Sequence, residues 1–134
     1  DEVVDMLQVM NTGMDGSLST GHGNSPADML VRLETMVLMG MEMPLSAVRR
    51  QIASGIDILI HLGRLRDKSR RVLEISEITG YEYTTGEVTT SVLYEFQEDG
   101  KQKEGSVKGS LKKRNELVHV QKLIRAGIRK NERV

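Results

Sequence analysis

The chain has 134 residues, of which 38% are hydrophobic and only 3% aromatic, so a single domain with an aliphatic, methionine-supplemented core is expected. There is no cysteine, which excludes disulfides and thiolate metal sites, and the three histidines stand in no metal-ligand spacing. The formal charge is zero but divided: residues 1–63 hold three Arg against eight Asp and Glu, and residues 64–134 hold sixteen Lys and Arg against eleven acids.

A basic half of this kind can face phosphate, a membrane surface, an acidic partner or its own acidic half. No apolar run approaches the roughly 20 residues that span a bilayer. No signal-peptide pattern is present either, which fits a cytoplasmic protein. The chain opens Asp-Glu-Val-Val-Asp-Met-Leu, without an initiator Met and directly in a helical pattern. The expectation is a piece of something longer.

Val3, Val4, Leu7 and Met10 fall at helical spacing and predict an amphipathic helix over residues 2–10. Asn11-Thr12-Gly13 stops it, with Gly13 suited to a left-handed cap, and Met14-Asp15-Gly16 is turn chemistry. Ser17-Leu18-Ser19-Thr20 reads as a short buried strand of small residues. His22 follows between Gly21 and Gly23, and Ser25-Pro26-Ala27-Asp28 is a helix start with Ser25 as cap and Asp28 at the positive end. Strand, His22 loop, then helix is the arrangement at which open α/β sheets bind ligands. An ordinary surface histidine in a polar loop is the competing reading.

Met29, Leu30, Leu33, Val37 and Leu38 predict a helix from Pro26 to about Met39, closed by Gly40. Met36, Met39, Met41 and Met43 read as flexible core filler rather than an adaptable surface. Pro44 starts a third helix to about Ser54, with Leu45, Val48 and Ile52 inward. Residues 56–65 alternate with period two, placing Ile56, Ile58, Ile60 and Leu62 on one face. A turn at Arg66-Asp67-Lys68-Ser69, a strand from Arg71 to Thr79, a turn over residues 80–86 and a strand from Val88 to Gln97 complete an antiparallel meander. Residues 98–114 offer little to bury and read as a flexible linker. Leu117, Val120, Ile124 and Ile128 mark a last helix within residues 115–134.

The chain has no Gly-x-x-x-x-Gly-Lys-Ser/Thr phosphate loop, no Gly-x-Ser-x-Gly elbow and no His-Glu-x-x-His. His61 and His119 read as structural. Arg64, Arg66, Lys68, Arg70 and Arg71 place five cations in eight residues at a hairpin tip, with Arg64 and Arg66 expected on one face. Such a tip can touch phosphates. No aromatic stands nearby to stack bases, so a solvated turn or an acidic neighbour is favoured over nucleic acid.

Four segments together resemble the C-terminal part of the motor domain of type II/IV secretion ATPases, closest to the Tad/Flp pilus-assembly branch. They are Asp5-Met6-Leu7-Gln8-Val9-Met10-Asn11-Thr12-Gly13, then Asp15 through Ser25, then Arg32-Leu33-Glu34-Thr35-Met36-Val37-Leu38-Met39. The fourth is Gln51 through Asp57 followed by Arg64-Leu65-Arg66-Asp67 and Ser69-Arg70-Arg71-Val72. The resemblance covers residues 5–72 and weakens after Phe96, although Leu123 through Ile128 also looks like the family's last helix.

That resemblance implies an α/β fold, the C-terminal portion of a RecA-like P-loop NTPase domain: helices on a mixed sheet with an antiparallel meander, incomplete without upstream strands. Residues 1–97 would be the ATPase part. It further implies a hexameric parent that uses ATP and Mg²⁺ at the cytoplasmic face of the inner membrane, beside pilus or secretion platform proteins, for pilus assembly or protein export. His22 falls on the family's His box and would be the catalytic, γ-phosphate-facing residue. Ser19, Thr20 and Asn24 would support it in nucleotide binding, and Arg64 and Arg66 would contact a neighbouring subunit or phosphate. No metal ligand is implied in this chain. Met14 stands where relatives usually have a second histidine, and the phosphate loop would lie upstream of Asp1. The 134 residues alone are therefore expected to bind ATP weakly or not at all and not to hydrolyse it.

Overall fold

Apolar residues spaced three and four apart bury one stripe of each main helix. The computed structural model describes residues 5–8, 16–40, 42–100 and 105–128. Helix α1 (Pro26–Gly40) buries Leu30, Leu33 and Val37, and helix α2 (Leu45–Gly55) buries Val48 and Ile52. Pro44, expected as the first helical residue, is instead the N-cap of α2, with extended φ and ψ. Residues 5–8 are helical, and Leu7 joins the same core; the rest of the expected first helix, with Gly13 and Met14, lies outside the described residues.

Strands β1 (Ile58–Arg64), β2 (Arg70–Glu82), β3 (Glu87–Glu98) and β4 (Gly109–Lys113) form one four-stranded sheet in that order, antiparallel throughout. The α/β class and the meander are as expected. The expected mixed sheet is not found among the described residues, because consecutive strands are joined without a helical crossover, as a parallel pair would require. The β2–β3 turn depends on Gly86, whose φ of +71° is left-handed and whose amide closes on the Glu82 carbonyl at 2.8 Å.

The core lies between the helices and one face of the sheet. Leu30, Leu33, Val37, Val48, Ile52 and Ile56 pack with Ile78 of β2, with Leu59 and Val88 at the margin. Arg49 ties these layers together. It donates to Glu34 of α1 at 2.9 Å and to the Gly86 carbonyl of the β2–β3 turn at 2.8 Å. Of the four methionines expected as core filler, Met43 packs against the core, as Met6 and Met29 also do, Met41 lies outside the described residues, and Met36 and Met39 are exposed, against that expectation. They sit off the stripe that faces α2 and the sheet.

Residues 17–20 form no strand. All four are exposed and irregular, which corrects the buried strand expected there. Small polar residues bury too little apolar surface to offset the ordering of a strand. The stretch expected as a linker is also partly structured: residues 101–104 lie outside the described residues, but Gly109–Lys113 is β4 and Val107 is buried. Backbone pairing to the β3 edge and bonds from the hairpin tip order it, a gain that composition does not register. The last helix, α3, spans only Gln121–Arg125, and Leu117 and Val120 precede it in an irregular strap.

Strand β1 is an edge strand, and its outward row is apolar: Ile58, Ile60 and Leu62 are 39%, 53% and 65% exposed. An unpaired ladder backed by apolar side chains is a template for another strand. The chain is expected to self-associate as concentration rises, and Leu62→Lys to suppress this. Multi-angle light scattering reads the outcome; a wild-type chain that stays monomeric at high concentration contradicts it.

Candidate functional site

The His22 segment is held from its C-terminal side. Ser25 Oγ accepts from the Asp28 amide at 3.0 Å, as expected of a cap, and Asp28 in return accepts from the Asn24 amide at 2.9 Å. Arg32 closes on the same carboxylate at 3.2 Å. Gly21 and Gly23 do more than leave His22 unshielded. A Cβ on Gly21 would strike the Met29 thioether, and one on Gly23 would lie 3.3 Å from Met29 backbone and Cβ atoms. The loop therefore folds down onto the first turn of α1, closely enough that a side chain at Gly21 would displace the end of Met29 and one at Gly23 would crowd its backbone.

His22 itself is exposed, as are Ser19, Thr20 and Asn24. They share one open segment ahead of α1, but no hydrogen bond joins their side chains among the described residues. With residues 17–20 irregular, His22 stands at a helix entrance rather than at the end of a strand. The arrangement is an accessible imidazole on a braced loop, able to donate or accept a hydrogen bond with a group arriving from solvent.

The cationic hairpin tip is built differently from its sequence reading. Alternation ends with β1 at Arg64; Arg66 belongs to the turn, where the Leu65 amide donates to the Ser69 carbonyl and the Lys68 amide to the Leu65 carbonyl, each at 2.8 Å. Arg66 reaches Glu98 of β3 at 2.6 Å, and that hydrogen bond raises its pKa further above the ordinary arginine range. This corrects the expected shared face for Arg64 and Arg66. Arg71 donates to the Val107 carbonyl at 2.8 Å and lies 5.5 Å from the Phe96 ring centroid. Asp67 braces the turn. Its carboxylate accepts from the Ser69 hydroxyl, the Ser69 amide and the Val107 amide, in that order of effect, and is held down at about 2.

Arg64 is placed directly opposite Arg70 across the β1–β2 ladder. Sequence reasoning missed Arg70 as the partner of Arg64. The signal was the five-residue interval Leu65 to Ser69, which sets Arg64 against Arg70 once the turn closes on the Leu65–Ser69 bond. His61 lies in β1 opposite Glu74, and His119 Nε2 is 2.7 Å from the Thr79 carbonyl.

Among the described residues no cluster of His, Asp and Glu could hold a metal ion. No helix there is long and apolar enough to cross a membrane.

No family model matches the chain. It is 36% identical over 75 residues to a "Putative conjugal transfer protein" of Mycobacterium tuberculosis strain H37Rv, and equally to its counterpart in strain CDC 1551. The match takes in 56% of this chain but only 21% of each relative, so the chain spans about a fifth of their length.

Proposed function

We propose that this chain is the C-terminal part of the motor domain of a type II/IV secretion ATPase of the Tad/Flp pilus-assembly kind. In the intact protein it would work within a homo-hexamer at the cytoplasmic face of the inner membrane, coupling ATP hydrolysis to pilus assembly or protein export. The observation that carries this reading is the exposed His22 imidazole on a loop braced by Ser25, Asp28 and Met29. A donor so placed can meet a terminal phosphate and pass on its loss. The match to proteins named for conjugal transfer supports a secretion-related role.

ATP and Mg²⁺ do not fit this chain alone. It has no phosphate loop and, among the described residues, no carboxylate cluster for a cation. Phosphoryl transfer rests on both. The contribution proposed for this chain is the His22 contact, with Ser19, Thr20 and Asn24 beside it.

In the intact protein, His22→Ala is expected to lower kcat about a hundredfold, the usual scale for losing one hydrogen-bonding group aimed at developing charge. KM should change little. The 134-residue chain should show no turnover above blank. A steady-state phosphate-release assay decides both, and an intact His22→Ala protein with undiminished kcat removes the proposal.

A second reading draws on the open cations of the hairpin tip: a non-catalytic module for nucleic acid or an acidic partner. A salt-sensitive gel shift with DNA or RNA at low ionic strength would favour it, and no shift would count against it.

A further inference from the structure

We infer that Arg64 and Arg70 form an oxyanion clamp for a phosphate chain, such as diphosphate or the phosphates of a nucleotide. Of the five hairpin cations, Arg66 is bonded to Glu98, and Arg71 to the Val107 carbonyl and the Phe96 ring. The side chains of Arg64, Lys68 and Arg70 are exposed and make no hydrogen bond or ion pair among the described residues. Arg64 and Arg70 occupy directly opposed ladder positions, so their side chains leave the same face of the sheet.

Two like charges opposed across a ladder destabilise it unless something between them is anionic. For two other arginines the chain supplies the counter-charge itself, Glu95 for Arg114 and Glu98 for Arg66. At Arg64 and Arg70 it does not. Lys68 adds a third cation at the tip in a left-handed conformation, φ 68°, that a glycine would adopt more cheaply.

The chemistry favours phosphate over carboxylate. Each guanidinium offers a planar fork of donors, and two forks side by side on one face match a tetrahedral group with three acceptor oxygens and close to two negative charges. A carboxylate brings two oxygens and one charge. The platform is stiff: Asp67 pins the turn through Ser69 and Val107, and Arg66 and Arg71 anchor its other side to β3 and the segment before β4. A backbone platform that is already ordered loses less entropy on binding.

This clamp extends the proposed motor role by giving the chain a phosphate contact separate from His22, and it stands or falls without hydrolysis. The test is titration of the 134-residue chain with sodium diphosphate, ATP without metal, and acetate at low salt, followed by amide chemical shifts. Diphosphate and ATP should shift residues 64, 68 and 70 with similar affinity, acetate far less. Arg64→Ala and Arg70→Ala should each weaken diphosphate binding about tenfold, the scale of one lost charged hydrogen-bond pair. Arg64→Lys should fall between, and Arg66→Ala should stay within about twofold because Arg66 is already engaged.

Folding is monitored separately. Removing one of two opposed like charges should leave the thermal midpoint unchanged or higher, and diphosphate should raise it only in proteins that keep both arginines. The inference is overturned by any of three results. They are acetate matching diphosphate, Arg66→Ala weakening binding as much as Arg64→Ala, and duplex DNA binding with a salt slope well beyond three contacts. Loss of hydrolysis in the intact His22→Ala protein bears on the motor reading and leaves these titrations unaffected.

Discussion

Glu77→Ala should lower the stability of the chain by about 2 kcal/mol, near 10 °C in thermal midpoint, and free the strap before α3. Glu77 is 1% exposed in the middle of β2, yet it is a carboxylate. What makes this tolerable is that its two oxygens accept from the Val118 amide at 2.8 Å and the His119 amide at 2.9 Å. Each bond to a charged acceptor is worth more than a neutral one, and an orphaned buried donor costs about 1–3 kcal/mol. The full sum for both donors is not expected, because Val118 and His119 are exposed on their outer side and a loosened strap can find water.

The variant therefore separates two quantities. Global stability, read by urea titration, should fall modestly. Hydrogen-exchange protection of the Val118 and His119 amides should fall to that of a frayed segment. Glu77→Gln keeps one acceptor but turns an N–H₂ toward an amide, so it should lie between. Full protection of both amides in Glu77→Ala would show that something else holds the strap.

The second large effect is expected at Ile52. It is 0% exposed on α2, at the junction of α1, the sheet and the turn at residues 5–8. Ile52→Ala should cost about 4 kcal/mol, since it removes buried methylenes and leaves a cavity that neighbours on three elements cannot jointly fill. A domain of this size is stable by only about 5–15 kcal/mol, so the variant would lose much of its margin. Ile52→Val should cost about 1 kcal/mol. Chemical denaturation with an unchanged m-value is the measurement, and a loss below about 1 kcal/mol for Ile52→Ala would mean that the helix layer is not the centre of stability.

The β1 edge bears on how these numbers should be measured. Ile58, Ile60 and Leu62 face outward on an unpaired strand, so apparent stability will depend on concentration if copies pair there. Denaturation of the Leu62→Lys protein beside the wild type removes that coupling.

Much of the fold is written in short-range pattern. Met29, Leu30, Leu33 and Val37 mark α1 by their spacing, Ser25 and Asp28 mark its start, and Gly86 marks a turn by what its φ permits. The alternation of β1, β2 and β3 predicts three strands with boundaries close to those observed. The accessible His22 between two glycines was equally legible, because exposure there follows from small polar neighbours.

Other features depend on residues far apart in the chain, where local composition carries no signal. Ser17–Thr20 pairs with no strand among the described residues, and β4 has a linker's composition yet pairs with β3. Asp67 meets the Val107 amide across 40 positions, and Glu77 meets Val118 across 41. Which hairpin cations are spent and which stay open follows from where β3 and residue 107 happen to lie. Amino-acid order thus specified the helices, the meander and the open histidine through their own periodicity and turn chemistry. Long-range packing specified the partners of each charge, because an ion pair or a buried amide bond exists only once two distant segments have been brought to within about 3 Å.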